Sequence, residues 1–87
     1  MHEHVAFLTP TGRTESPARD VIRLLKSNID PAAEEMRDVT LRSTRCGVTV
    51  FSRTRQSLAN MQRAIEANSV TRAAVSMRVP ERRRTHV

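Results

Sequence analysis

The stretch Gln56 to Met77, QSLANMQRAIEANSVTRAAVSM, extends for 22 residues without a glycine or a proline. Alanine, the residue with the highest helix propensity, occurs in it five times. An uninterrupted stretch of this composition is typical of an α-helix, and at 3.6 residues per turn it would make about six turns. We therefore predict that the fold is arranged around one long helix.

Two apolar faces run along this predicted helix, on roughly opposite sides. One face suffices to dock a helix on its own domain, so we expect the second face to contact a partner. Two alternatives stay open: both faces lie in one monomeric core, or the alanines are exposed and serve helix propensity alone. The first face comprises Leu58, Met61, Ile65 and Val75, and the second comprises Ala59, Ala67, Val70, Ala73, Ala74 and Met77.

The length of 87 residues predicts one domain, from residue 1 to 79, followed by a basic tail from 80 to 87 that we expect to be disordered. The chain has two phenylalanines and no tryptophan or tyrosine, so its core must come from aliphatic residues and methionine. A domain of this size buries only about 60% of the surface of its unfolded chain, which also favours oligomerisation.

The charge of +6 is unevenly distributed. Residues 1–36 carry six acidic and four basic side chains, whereas residues 37–87 carry three acidic and eleven basic ones. Fourteen of the fifteen basic residues are arginine, whose forked donors suit phosphate groups, although a GC-rich genome would also favour arginine. The basic half indicates contact with RNA or with an acidic protein surface.

The single cysteine excludes an internal disulfide and suits a reducing compartment. No apolar run approaches the roughly 20 residues of a membrane span, and the N-terminal MHEHVAFLTP is unlike a secretory signal. We expect a soluble cytoplasmic or nuclear protein without a membrane partner.

The N-terminal third predicts a strand and a helix. The apolar run His4 to Thr9 ends at a proline and a glycine, which favours a strand, with an N-terminal arm as the alternative. Ser16 is expected to cap the first helix with its hydroxyl, and Pro17 suits its first position. An apolar residue recurs at helical spacing as far as Ile29, and the helix is expected to end between Asn28 and Pro31.

The central region predicts a β-hairpin after a connection from Pro31 to Met36. Arg37 to Arg45 alternates, with Val39, Leu41 and Ser43 on one side, and Val48 to Arg53 alternates again. Cys46-Gly47 forms the turn, where glycine is expected to supply a positive φ. The element order is then β-α-β-β-α, an α+β domain whose three-stranded, mostly antiparallel sheet is covered on one face by two helices.

Catalytic chemistry is not indicated, and we expect neither an enzyme nor a cofactor. His2, His4, Cys46 and His86 match no zinc-ligand spacing, so we interpret them as unrelated surface residues rather than a metal site. The chain has two glycines and therefore no phosphate-cradling loop.

Arginines near the hairpin and in the tail are the candidate RNA contacts. Arg42 and Arg53 are expected on one open face of the sheet, within reach of a phosphate backbone. The alternative is an ordinary solvated basic surface. Phe51 alone would be a poor platform for stacking bases, so we predict no base-specific binding. The complete set is Arg42, Arg53, Arg55, Arg82, Arg83 and Arg84.

Several segments together resemble a known family. A strand, HVAFLTP, is followed by a helix carrying Ala18, Ile22 and Leu25, and then by an acidic connection from Ile29 to Glu35. The hairpin's second arm, VTVFSR, precedes a closing helix marked by leucine, small residues and methionine. From His4 to Met77 this pattern resembles the Pcc-type small subunit of the KEOPS (EKC) complex, which makes threonylcarbamoyl-adenosine in tRNA.

The resemblance implies a non-catalytic assembly subunit. Such subunits form homodimers, dock helices on the transferase subunit of the complex and assist tRNA binding. The alternative function is a stand-alone RNA-binding or ribosome-associated α+β module. Carried over to this chain, the resemblance places the partner interface at Ala18, Ile22, Leu25, Leu58, Met61, Ile65, Ala67, Val70, Ala74 and Met77.

Overall fold

Four strands and three helices make up the described part of the chain, which in this computed structural model comprises residues 4–30, 33 and 36–80. The predicted α+β class is confirmed, with helices and an antiparallel sheet in one domain. In chain order the elements are β1 (His4–Pro10), α1 (Pro17–Asn28), β2 (Val39–Ser43), β3 (Val48–Ser52), α2 (Arg55–Ala67), α3 (Ser69–Ala74) and β4 (Val75–Arg78).

The sheet has the strand order β2-β3-β1-β4, and each neighbouring pair is antiparallel. The prediction of three strands in the order β-α-β-β-α is therefore wrong, because a fourth strand pairs with the outer edge of β1. Since β3 lies between β1 and β2, and β1 lies between β3 and β4, the topology is the split β-α-β arrangement also called ferredoxin-like.

The hydrophobic core lies between the sheet and the helices. On β1 the alternating residues Ala6 and Leu8 have no exposed surface, and on β3 Val50 has none either. The helices α1 and α2 cover this face of the sheet, so its other face carries no helix in the described part of the chain. The helical residues that complete the core are Val21, Leu25, Leu58, Met61 and Ile65.

The start of α1 differs from the prediction. Ser16 is the N-cap residue, but its side chain makes no capping hydrogen bond. Thr14 organises the turn instead: its hydroxyl donates to the Asp20 carboxylate and accepts the Ser16 amide at 3.1 Å. A hydroxyl two residues earlier thus links the loop to Asp20 in the first turn of the helix, although it caps no amide of that turn.

The prediction of one helix from Gln56 to Met77 is wrong, because the helix is interrupted at Asn68. This residue has extended backbone angles, φ −100° and ψ 122°. Its side-chain oxygen accepts the amides of Val70 at 2.9 Å and Thr71 at 3.0 Å, and so caps a new short helix, α3. Asparagine favours caps over helix interiors because its short amide competes for nearby backbone groups.

A buried threonine joins α3 to the last turn of α2. The Thr71 side chain has no exposed surface, and its hydroxyl donates to the carbonyl oxygen of Ile65 at 2.7 Å. That carbonyl lies in the last turn of α2, where it would otherwise lack a partner. The bond replaces a main-chain helical bond and turns α3 back onto the domain.

The last three residues of the predicted long helix, together with Arg78, form β4. They read Val75-Ser76-Met77-Arg78, which alternates between apolar and polar side chains. Val75 is buried and Met77 packs against the core, whereas Ser76 and Arg78 are exposed. β4 pairs with an edge of β1 that would otherwise carry unpaired backbone groups. The second apolar face therefore does not exist as a continuous surface.

Gly47 is required at the hairpin turn by close packing, and the expected positive φ is not found there. A Cβ at this position would overlap the carbonyl oxygen of Leu8 and lie 3.1 Å from the Cα of Thr9. The Thr44 hydroxyl stabilises the turn by accepting the amides of Cys46 at 3.3 Å and Gly47 at 3.1 Å.

Candidate functional site: the open face of the sheet

One face of the sheet faces away from the helices, and we call it the open sheet face. The register places alternate residues of every strand on it, opposite the core positions. Its central members are partly exposed and those of the edge strands are exposed, apart from Thr49, which is 9% exposed. The open sheet face comprises Val5, Phe7, Thr9, Thr40, Arg42, Thr49, Phe51, Ser76 and Arg78.

Both aromatic side chains of the protein lie on the open sheet face. Phe7 is on β1 opposite Thr49, and Phe51 is on β3 opposite Val5. The two phenylalanines therefore occupy diagonal positions on the two central strands, where aromatic side chains are within reach of each other. Both are partly exposed, so their rings offer apolar surface to solvent at the middle of the sheet.

Arginines flank this aromatic centre from both edge strands. Arg42 of β2 lies opposite Thr49, and Arg78 of β4 lies opposite Phe7. The order Arg42, Thr49, Phe7, Arg78 therefore forms one row across all four strands. The guanidinium carbon of Arg78 is 5.8 Å from the centroid of the Phe7 ring, which is within cation–π distance.

The charge around the open sheet face is predominantly positive. Arg53 directly follows β3 in the same alternation as Phe51 and is exposed. Asp38 lies just before β2 and is exposed as well. The arrangement offers π surface at the centre, hydroxyls between the strands and guanidinium groups at the sides, which together suit a planar, negatively charged ligand.

The predicted RNA contacts are only partly brought together. Arg42 lies on the open sheet face as expected, Arg53 follows β3, and Arg55 is the exposed first residue of α2. Sequence reasoning missed Phe7 and Arg78. Alternation along β1 would have identified Phe7, but Arg78 lay just beyond the supposed helix. The tail residues Arg82, Arg83 and Arg84 lie outside the residues that the structure describes.

Four of the predicted partner contacts are core residues. Leu25, Leu58 and Ile65 are each 2% exposed, and Met61 is fully buried. Their side chains hold the helices on the sheet, so in this fold they are not available to a partner. Of the others, Ala67 and Val70 are exposed, whereas Ala18, Ile22, Ala74 and Met77 are half-buried and pack against the core.

A groove between α1 and the hairpin turn contains two of these half-buried residues. It has a volume of about 800 Å³, and Ala18 and Ile22 supply apolar surface to it. Glu15 is the acidic residue among the described residues that line it. The cationic residues lining the groove are Arg19, Arg23, Lys26 and Arg45.

No group of three or more metal-binding side chains is found in the described part of the chain. Cys46 is exposed and is not part of a disulfide, and His2 and His86 lie outside the described residues. No helix within these ranges has the length and apolar character needed to cross a bilayer.

Fold and site together define a small α+β domain with a split β-α-β sheet that exposes one aromatic, arginine-flanked face. No family model, curated protein or solved structure matches this chain. The resemblance to the Pcc-type subunit therefore stays a prediction that rests on the residues themselves.

Proposed function

We propose that this protein binds single-stranded RNA across the open sheet face. The main observation in support is that Phe7 and Phe51 lie together on that face between Arg42 and Arg78. They are the only phenylalanines of the chain, which has no tyrosine or tryptophan. Apolar side chains of this size are normally placed in the core, and this chain has no other aromatic residue to place there. Their partial exposure therefore indicates a ligand with a flat apolar surface.

Unpaired nucleobases supply such a surface. A base that stacks on an aromatic side chain contributes about 1–3 kcal/mol to binding. RNA-binding domains built on a four-stranded sheet stack two or three bases on aromatic residues of that sheet. The likeness in topology is an analogy only, since one fold serves many functions, and the proposal rests on the residues of the face.

The arginines would bind the backbone of the strand. Arg42 and Arg78 lie at opposite ends of one row across the sheet, so a strand crossing the phenylalanines passes near both guanidinium groups. Guanidinium groups bind phosphate in a bidentate manner, and each contact releases a counterion from the nucleic acid. We expect affinity with limited base specificity, because two rings and two cations distinguish bases less than a set of hydrogen bonds does.

Fluorescence anisotropy with a labelled eight-nucleotide RNA tests this proposal. We expect binding that weakens with salt, and a loss of about tenfold in affinity in Phe51→Ala, since one stacked base is lost. A duplex of the same sequence is the control ligand. It should bind less well than the single strand, because its bases are not accessible for stacking.

Three outcomes would overturn the proposal. The first is no binding at low salt, and the second is equal affinity of Phe51→Ala and the wild type. In the third, sedimentation shows a dimer that Phe7→Ala dissociates, so that a second copy rather than RNA covers the open sheet face.

The second candidate is the assembly subunit of the KEOPS complex, with homodimerisation and docking on the transferase subunit. Its main physical argument was the long helix with two apolar faces, and that argument is lost because the helix is interrupted at Asn68. Two things still favour it: the residue pattern, and the cationic groove in which Ala18 and Ile22 are accessible. A groove of this kind suits an acidic amphipathic helix of a partner.

A further inference from the structure

A pocket opens at one end of the open sheet face, beside Phe7. Its volume is about 390 Å³, near the lower end of the range of about 300–1,000 Å³ that is typical of small-molecule sites. Strands β1, β3 and β4 form its floor and one wall, and the turn between β2 and β3 forms the opposite wall. The lining residues are Phe7, Leu8, Thr9, Thr44, Cys46, Val48, Ser76 and Arg78.

The lining combines one aromatic ring, three hydroxyl groups and one cation. Thr9 and Ser76 lie opposite each other on β1 and β4, and no hydrogen bond joins either hydroxyl to another described residue. The Thr44 hydroxyl already accepts two amides of the turn, so its own hydrogen is left to donate. No carboxylate is found among the described residues that line the pocket.

We propose that this pocket binds a single nucleotide unit, with the base against Phe7 and the phosphate at Arg78. The inference rests on the proposed function, because it names where one nucleotide of the bound strand is held. Hydroxyls can donate to and accept from the edge of a base, and the Arg78 guanidinium, whose carbon lies over the Phe7 ring at 5.8 Å from its centroid, can reach the phosphate of the same nucleotide.

The composition of the lining favours a nucleotide over other small ligands. A purely apolar ligand would leave the Thr9 and Ser76 hydroxyls and the Arg78 guanidinium without polar partners from the ligand, which is unfavourable. A simple inorganic anion would use Arg78 but not the ring of Phe7. A ligand with a flat polar-edged ring and a phosphate uses both, and it can reach the pocket either as part of an RNA strand or as a free mononucleotide.

Amide chemical shifts of the ¹⁵N-labelled protein test the pocket directly. Uridine 5′-monophosphate, uridine and inorganic phosphate are titrated separately, and the eight-nucleotide RNA is measured by anisotropy. We expect the mononucleotide, more than either fragment, to shift the amides of Thr9, Ser76 and Arg78 saturably. Ser76→Ile fills the pocket and should abolish these shifts and lower the RNA affinity about tenfold.

Ser27→Ile is the matched control, since it makes the same substitution at an exposed position of α1, on the helical side of the domain, that does not line the pocket. It should bind the mononucleotide as the wild type does. If the wild type and Ser76→Ile bind RNA equally and no shift maps to the pocket, this inference is overturned while the proposed function stands.

Two further results separate the sources of the ligand. Saturable mononucleotide shifts at the pocket without any RNA binding would support the pocket as a free-nucleotide site and overturn the proposed function. Binding of neither ligand overturns both proposals. Retained folding of each variant is checked from the dispersion of the same spectra.

Discussion

The guanidinium carbon of Arg78 lies 5.8 Å from the centre of the Phe7 ring, and the two residues are paired directly across β4 and β1. This contact exists only because the chain after α3 returns to the sheet as a strand. It places a cation beside the aromatic centre of the open sheet face from the β4 side, and Arg42 supplies another from the β2 side. β1 is paired with both β3 and β4, so it joins the side of the candidate site that carries Arg42 to the side that carries Arg78.

Replacing Arg78 by glutamine should weaken RNA binding and make it less sensitive to salt. One phosphate contact fewer lowers the slope of log affinity against log salt by about 0.7 for a single strand. Arg78→Lys keeps the charge, so the slope should stay near that of the wild type although the bidentate geometry is lost. Both slopes are measured by anisotropy between low and physiological salt.

Arg63→Gln is the control for this series, because Arg63 is an exposed residue of α2, on the helical side of the domain, where it bonds to Asn60. Its slope should equal that of the wild type. A slope that falls equally in Arg63→Gln and Arg78→Gln would show that net charge, and not the open sheet face, determines binding.

The sign of the change in unfolding free energy in Asn68→Ala distinguishes an interrupted helix from a continuous one. In this fold Asn68 caps α3 and its side-chain amide also reaches the carbonyl oxygen of Asn28 at 3.4 Å, so the change should cost about 1 kcal/mol of unfolding free energy. In a continuous helix the same change would increase stability, since alanine has the higher helix propensity.

Urea denaturation followed by circular dichroism measures this difference. Ser69→Ala is the matched control, because Ser69 is exposed and lies next to the cap without contributing to it. Its effect should stay within about 0.5 kcal/mol. A clear gain in stability in Asn68→Ala would contradict the interruption between α2 and α3, and with it the position of Arg78.

Gly47→Ala should destabilise the domain by about 1–3 kcal/mol, because the added Cβ meets main-chain atoms of β1 that cannot move independently. Gly12→Ala provides the comparison, since a Cβ there has no atom within 4 Å and its φ is not positive. Thermal unfolding of the two variants should separate them by several degrees. Equal melting temperatures would show that β1 and the hairpin turn do not pack as described.

Charge reversal in the groove tests the assembly-subunit prediction. Arg23→Glu places a carboxylate in a groove that otherwise carries mainly cations, so an acidic partner helix should bind about tenfold less well. Arg63→Glu makes the same change in charge outside the groove and should have no comparable effect. Titration calorimetry with the purified transferase subunit of the threonylcarbamoyl-adenosine complex measures both. If the wild type binds no transferase, the assembly-subunit prediction fails.

Much of the candidate site follows from local alternation. The pattern of β2 and β3 placed Arg42 on the outer side of the hairpin, and Phe51 follows from the same rule. Neither pattern shows which strand lies beside the hairpin, so the diagonal pairing of Phe51 with Phe7 required the register of β1 against β3. The sequence therefore predicted that Phe7 is a strand residue, but not that it lies beside Phe51.

The sequence by itself determined the class of the fold, the helix α1, the hairpin and the apolar side of α2, because these depend on periodicities that neighbouring residues carry. Only the tertiary structure decided the secondary structure of residues 68–78. Their alanines favour a helix locally, but the unpaired edge of β1, the Asn68 cap and the buried Thr71 hydroxyl offer hydrogen bonds that outweigh a small difference in propensity. The edge of β1 is distant in sequence from residues 75–78, and for that reason the fourth strand and the arginine on it could not be predicted.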